Sequence, residues 1–346
     1  MMNIRNNVSL KDYSTMKLGG ETKFIVDINT SSELIEAITW AKTHALPYLI
    51  IGGGSNIFWK DEGFDGILLV NKIQGIQTKQ ISDHEYLITA GAGENWDKLV
   101  EKCTSDGLSG VEYLSLIPGS CGATPIQNIG AYGSDISKVL VSVEAYDTTT
   151  DKFVSISAED CHLGYRDSRF KRGSDKNRFL ITSVTIKLTN ENPKPPYYPA
   201  IDEYLKNHSI DHVTPMIIRE AVIDIRNSKL PDPKINPNNG SFFTNPIISK
   251  ELFDRLKVTY SDIVSWPVND NQLKISAGWL IEQIGYKDKY DLVTGIATWP
   301  RHSLTLVNKS AKTTSDLLSF KEQIVSKVKQ KFDINLEQEP ELLPQS

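Results

Sequence analysis

Between Leu116 and Gly133 the chain reads LIPGSCGATPIQNIGAYG, four glycines and two adjacent amides set into otherwise apolar sequence. Gly119, Gly122, Gly130 and Gly133 leave no Cβ in the way and tolerate positive φ, so backbone N–H groups here can converge on a phosphate. Gln127 and Asn128 each carry donors and an acceptor, which suits the polar edge of a heteroaromatic ring such as a flavin. Pro118, Ser120, Ala123, Ala131 and Tyr132 complete this candidate cofactor-binding stretch. By itself it reads equally well as a Gly-rich turn between two strands.

A second loop shifts that balance. At LIIGGGSN an apolar run ends in Gly52, Gly53 and Gly54, followed by Ser55 and Asn56. The spacing is not G-x-G-x-x-G and no P-loop lysine follows, so neither an NAD-type Rossmann site nor an NTPase follows from it. Two phosphate-compatible loops about one small domain apart are the expectation for a dinucleotide laid between subdomains.

These loops, followed in order by GYRDSRFK, NGSFFTNP and LEQEP, resemble the UDP-N-acetylenolpyruvoylglucosamine reductases. These flavoenzymes of peptidoglycan precursor synthesis are also called UDP-N-acetylmuramate dehydrogenases. The resemblance runs from about Asn7 to about Leu342. It implies an α+β chain with an FAD-binding fold of the vanillyl-alcohol-oxidase type and a C-terminal α+β substrate-binding domain. The divisions expected are 1–72 (completed by 331–346) and 73–215 for two FAD-binding subdomains, then 216–330 for substrate. It also implies NADPH as co-substrate and a UDP-sugar as the molecule reduced, with UDP-N-acetylmuramate as product. No histidine precedes His44 and none lies in either Gly-rich loop, so a His-linked flavin has no anchor and FAD is expected to be noncovalent.

Reducing an enol ether of pyruvate needs hydride at one carbon, a proton at its neighbour, and a stabiliser for charge building on the carboxylate. By the resemblance, Ser241 in GSFF donates the proton, its hydroxyl polarised and held close to the carbon. Arg166 in GYRDSRFK grips the carboxylate through its two-pronged guanidinium. The C-terminal acid is Glu339, counted without gaps from Phe332, with Glu341 in an EPE-like context as the alternative. From local sequence alone, Arg166 also reads as a surface partner of Asp167 or Asp160, and NGSFFTNP as a turn into an edge strand. Lys229, Asn245 and Lys274 match the family's contacts to the diphosphate. Tyr198, in the Pro-rich NPKPPYYP, falls where one subtype has a tyrosine that closes over the substrate. Trp266 replaces a tyrosine and can stack on uracil, and His302 stands at a position open to glutamine.

The elements that must hold these residues alternate short β-rich runs with amphipathic helices. Ser32 is expected to cap a helix with Leu34, Ile35, Ile38 and Ala41 on one face, ahead of a strand at 46–51. Strands are expected at 66–70 and 85–90, then a helix with Trp96, Leu99, Val100 and Cys103 on one side that stops near Gly107. NPKPPYYP must be a loop, because each proline removes a donor and restricts its predecessor. Leu317, Phe320, Ile324 and Val328 predict a last helix, followed by a strand at 334–339.

Composition sets the bounds. The 346 residues suffice for two or three domains. A net charge of −5 without a sustained basic run speaks against nucleic acid as a main partner. Cys103, Cys121 and Cys161 are odd in number and lack a CxxC pair, and so read as reduced thiols, not as a disulfide frame or a metal site. With no apolar leader and no run long enough to cross a bilayer, a cytoplasmic protein without membrane insertion, acting as a monomer, is expected. Two rivals are an FAD-linked oxidase of the same fold, which would pass electrons to oxygen, and a nonenzymatic flavin- or nucleotide-binding regulator.

Overall fold

The computed structural model describes residues 2–345, which form two compact units. The first comprises the chain up to Val8, Thr22–Gly53 and Asp65–Ser228; the second comprises Ser9–Glu21, Gly54–Phe64 and the chain from Lys229 onward.

The first unit is built on two sheets. One orders its strands Arg5–Ser9, Glu21–Ile28, Phe64–Asn71, Tyr48–Ile51, the last two parallel with Tyr48 opposite Ile67. The helix Ser31–Thr43 precedes the edge strand Tyr48–Ile51, and the crossover that a parallel pair needs is the connection 52–63. Leu34, Ala37, Ile38 and Ala41 recur at helical spacing and are buried with Val26, Ile67 and Leu69. Thr30, not Ser32, is the cap, accepting from Glu33 N, and Ile35 is 40% exposed, off the apolar face. The second sheet is antiparallel: Lys152–Ser157, Leu140–Asp147, Phe179–Thr189, Glu85–Gly91, Ile76–Gln80. The helix Trp96–Ser105, capped by Asn95, buries Trp96, Leu99, Val100 and Cys103 in the core that this sheet shares. All three cysteines are buried and unbonded; burial pushes the Cys103 thiol up to about 12 and Cys161 up to about 11, so neither is a ready nucleophile.

The Pro-rich segment is a loop, and the helix Pro199–Asn207 starts from it with proline at its first position. The helix Pro215–Lys229 then packs Ile218, Ala221 and Val222 against Ile201 and Leu205. That apolar contact keeps the helix with the first unit, so the chain leaves it after Ser228 and not at 216.

The second unit joins two three-stranded sheets to the helices Lys250–Thr259, Ala277–Gln283 and Thr314–Phe332. One sheet orders Asn238–Ser241, His302–Asn308, Ile296–Trp299; the other orders Ile247–Ser249, Gln272–Ile275, Ser265–Asn269. The last helix opens with a Thr313/Asp316 capping box and buries Leu317, Phe320, Ile324 and Val328 as its periodicity predicts. No strand forms over 334–339, where Gln338 makes one isolated bridge to Phe243; pairing resumes after Pro340, which has no N–H to give a ladder, as Glu341–Leu343 runs parallel to Ile57–Trp59. Residues 9–21 and 54–64, placed in the first subdomain by sequence, pack here: Met16, Leu18 and Phe58 share a core with Phe242 and Phe320.

Candidate functional site

In the first unit the two Gly-rich loops meet. A Cβ on Gly53 would lie 3.1 Å from Gly119 Cα, and one on Gly52 would run into the Ser120 hydroxyl. Close backbone approach, then, is what these two glycines permit. Ser120 is held by a bridge to Asn95, and its buried Oγ has no partner among the described residues. Gly122 donates to Ala92 O at 2.9 Å, so close that a Cβ there would overlap Ala92.

The entry to the second loop is fixed by charge. Asp97 accepts from Leu116 N at 2.5 Å and binds Arg219 through both oxygens, at 2.6 and 3.1 Å. Burial pushes the Asp97 carboxyl up, but Arg219 and the Leu116 N–H outweigh it, and the balance lies below the ordinary carboxylate range. A depressed carboxylate stabilises the fold above its unfolded value near pH 4, and that contribution is lost as pH falls through the folded one. Asp97→Asn is expected to cost roughly 2–3 kcal/mol at pH 7 in urea unfolding. The deficit relative to wild type should shrink as pH is lowered below about 4; a constant deficit would show that the charge is irrelevant.

Further along, Arg166 sits at φ +54° and donates from Nη2 to Gly130 O at 2.9 Å and from Nη1 to Asn128 O at 3.4 Å. Its guanidinium also lies 5.6 Å from the Tyr165 ring centroid. Nearby, Asp167 binds Arg172, and Asp160 takes the Ser157 hydroxyl. Both ends of the Asn128 amide serve the fold, Nδ2 donating to Gly164 O and Oδ1 accepting from Ser137 N. Asn128 thus braces the loop with one donor and one acceptor of its amide, and Gln127 stands beside it. Gly130 and Ala131 form a two-residue strand paired with Ser134–Asp135. Tyr132 at φ +50° stands edge-on to Tyr198, centroids 5.5 Å apart, and the Tyr198 ring borders Gly133.

In the second unit Ser241 ends the strand Asn238–Ser241 and faces Thr305. Phe242 N donates to Leu304 O at 2.8 Å, which makes Ser241 and Thr305 a pair without mutual backbone bonds, the closer kind for side chains. Thr305 Oγ1 is 3.0 Å from His302 Nδ1. Glu339 N donates to Phe242 O at 3.0 Å and Thr244 N to Glu337 O at 2.9 Å, so the C-terminal acid reaches the residue after Ser241. Glu341 N instead bonds Asn56 O, and its carboxylate takes Gln345 Nε2. Asn245 Oδ1 accepts from Ala277 N at the start of a helix. Trp266 and Ile247 flank Lys274 in one cross-strand row, with the Lys274 ammonium 5.7 Å from the Trp266 ring centroid. Lys229 is exposed at the unit's first residue.

Sequence reading missed Asp97 and Arg219, which sit 122 positions apart, and Arg226, whose Nε is buried without a partner among the described residues. Burial lowers the Arg226 pKa, with Tyr132 and Asp97 acting against it and Arg166 adding to it. It missed Asn239 as well, although that residue stands two positions before Ser241.

A cradle lined by Gly52, Gly53 and Gly119, with an orphaned Ser120 hydroxyl beside it, fits the phosphates and polar edges of a flavin dinucleotide. A family model described as an FAD binding domain matches residues 22–156, and one described as the UDP-N-acetylenolpyruvoylglucosamine reductase C-terminal domain matches 232–343. The UDP-N-acetylenolpyruvoylglucosamine reductase of Pseudomonas syringae pv. syringae is 36% identical over 341 residues, covering 99% of both chains. That of Idiomarina loihiensis is 36% identical over 338, covering 98% of this chain and 97% of the relative. The crystal structure of UDP-N-acetylenolpyruvylglucosamine reductase from Thermus caldophilus shares the fold, with TM-score 0.68, 23% identity and coverage of 99% and 100%. The α+β FAD-binding architecture expected from sequence thus stands, and the chain belongs to the UDP-N-acetylenolpyruvoylglucosamine reductase family, FAD-dependent oxidoreductases.

Proposed function

We propose that this protein reduces the enolpyruvyl group of UDP-N-acetylglucosamine enolpyruvate to UDP-N-acetylmuramate with electrons from NADPH, as a cytoplasmic monomer in peptidoglycan precursor synthesis. The observation that carries the reading is the backbone tie of the C-terminal segment to the strand of Ser241, Glu339 N to Phe242 O. It ties the backbone of Glu339 to the residue that follows Ser241. FAD, held by the cradle of Gly52, Gly53 and Gly119, would supply two-electron redox chemistry between NADPH and the enolpyruvyl group.

The chain's own residues do the rest. Ser241 Oγ–H protonates the neighbouring carbon. Arg166, its guanidinium set by two loop carbonyls, binds the substrate carboxylate and stabilises the charge that grows on it. Glu339 stabilises the same intermediate, and its backbone bond to Phe242 supports it over Glu341. Lys229, Asn245 and Lys274 take the diphosphate, Trp266 stacks on uracil, His302 gives or takes one hydrogen bond, and Tyr198 closes the loop over the substrate.

The reaction is tested anaerobically. Protein reduced by NADPH should regain its oxidised flavin spectrum on adding the enolpyruvyl nucleotide, with UDP-N-acetylmuramate formed; a flavin that stays reduced until air is admitted would mean an oxidase. Glu339→Gln should slow that second half-reaction by about 10²-fold or more and leave reduction by NADPH intact, whereas Glu341→Gln should leave both near wild type. The opposite pattern in stopped-flow would transfer the role to Glu341.

A further inference from the structure

Asn239 is 5% exposed. Its Nδ2 donates to Thr15 Oγ1 at 3.1 Å, Ser55 O at 3.2 Å and Ile57 O at 3.0 Å. An amide nitrogen has two hydrogens to give, so this end is fully used. The contacts also fix which end is which: turning the amide over would set Oδ1 against two carbonyl oxygens. Oδ1 therefore faces the other way, and there it is buried without a hydrogen-bond partner among the described residues. A buried acceptor left unmade is costly, so a fold that keeps one generally meets it with a donor from outside the chain.

Two neighbours say what brings that donor. Ser55 O and Ile57 O belong to the stretch that leaves the first Gly-rich loop, so Asn239 holds that stretch from within. Asn239 also lies on the strand of Ser241, where Gly240 turns at φ +74° with its N–H on Asn238 Oδ1. Asn239 thus holds the exit of a loop suited to the dinucleotide and lies two residues before the proposed proton donor.

We propose that Asn239 is a cofactor-binding residue whose Oδ1 accepts a hydrogen bond from an N–H or O–H group of bound FAD. The proposal rests on the FAD-dependent character of the family and on nothing in the assignment of Ser241 or of the nucleotide substrate. The occupant it competes with is a buried water, which would satisfy Oδ1 equally well.

The test is FAD affinity and apoprotein stability, measured separately. Apoprotein of wild type, Asn239→Ala and Thr15→Ala is titrated with FAD by fluorescence quenching, and each apoprotein is melted. Asn239→Ala should weaken FAD binding about 2- to 10-fold, the worth of one net hydrogen bond, beyond whatever Thr15→Ala does. Thr15→Ala removes one Nδ2 contact and leaves Oδ1 in place, so it should melt lower while binding FAD nearly as wild type. A lowered melting temperature in Asn239→Ala with unchanged FAD affinity would overturn the proposal and make the amide a stitch with water on Oδ1. If Asn239→Ala does not fold, wild-type protein labelled with side-chain ¹³C-asparagine decides. The Asn239 carbonyl resonance should move downfield when FAD is added, and a resonance that stays put would overturn the proposal equally. Neither readout depends on turnover, so a failed reduction assay and a failed Asn239 prediction are distinguishable.

Discussion

Ser241→Ala is expected to give a protein that binds FAD and is reduced by NADPH as wild type, but reduces the enolpyruvyl nucleotide about 10³-fold more slowly. The size follows from the chemistry. Hydride addition to one carbon of an enol ether leaves charge that only a proton at the other carbon removes, and a placed donor contributes about 10²–10⁴-fold to such a step. A serine hydroxyl is a weak acid, so its value lies in placement and polarisation. Thr305, itself in contact with His302, lies directly across from Ser241, and Glu339 is tied by its N–H to Phe242 O. Ser241→Cys, which keeps a proton donor of lower pKa, should recover part of the rate. The decisive measurement is single-turnover stopped-flow of each half-reaction. A variant slowed equally in both halves would mean that the substitution disturbs the flavin site as a whole, and Ser241 would lose its assignment.

How much of this was legible in the sequence depends on the range of the interaction concerned. Local patterns carried through: the 3.6-residue spacing of Leu317, Phe320, Ile324 and Val328 becomes the buried face of one helix, and the Pro-rich loop is a loop. Glycines also spoke clearly, because what they permit, close approach and positive φ, is a property of the residue itself. Side-chain partners were not legible. Asn128 looks like a ring-edge reader by type, and nothing local announces that its amide also braces Gly164 and Ser137. Asp97 is an ordinary helix carboxylate until Arg219 arrives from 122 positions away. Boundaries failed for a related reason. The helix Pro215–Lys229 belongs with the first unit through Ile201 and Leu205, a tertiary contact that composition does not announce.

Arg166→Lys is expected to lower the same nucleotide half-reaction by about 10²-fold or more, although lysine keeps the positive charge. In the proposed reaction the guanidinium performs two tasks at once. Nη2 and Nη1 donate to Gly130 O and Asn128 O, which fixes the plane of the group against the second Gly-rich loop. A planar fork fixed in that way meets a carboxylate with two parallel donors, whereas an ammonium on a flexible stem is a point charge that must choose between the loop carbonyls and the substrate. Gly130 gives an independent handle on the same geometry. A Cβ there would come within 2.9 Å of Asp135 Cβ, 3.0 Å of Ser134 O and 3.3 Å of Arg166 Nη1, so Gly130→Ala must shift Gly130 against its paired strand and, with it, the carbonyl that holds Arg166 Nη2. Gly130→Ala should therefore reproduce part of the Arg166→Lys loss with the arginine still present. Combining the two should cost less than the sum of the separate effects, because both act on one guanidinium. Full additivity in that double-mutant cycle would show that Gly130 serves only the loop and that Arg166 owes its position to something else.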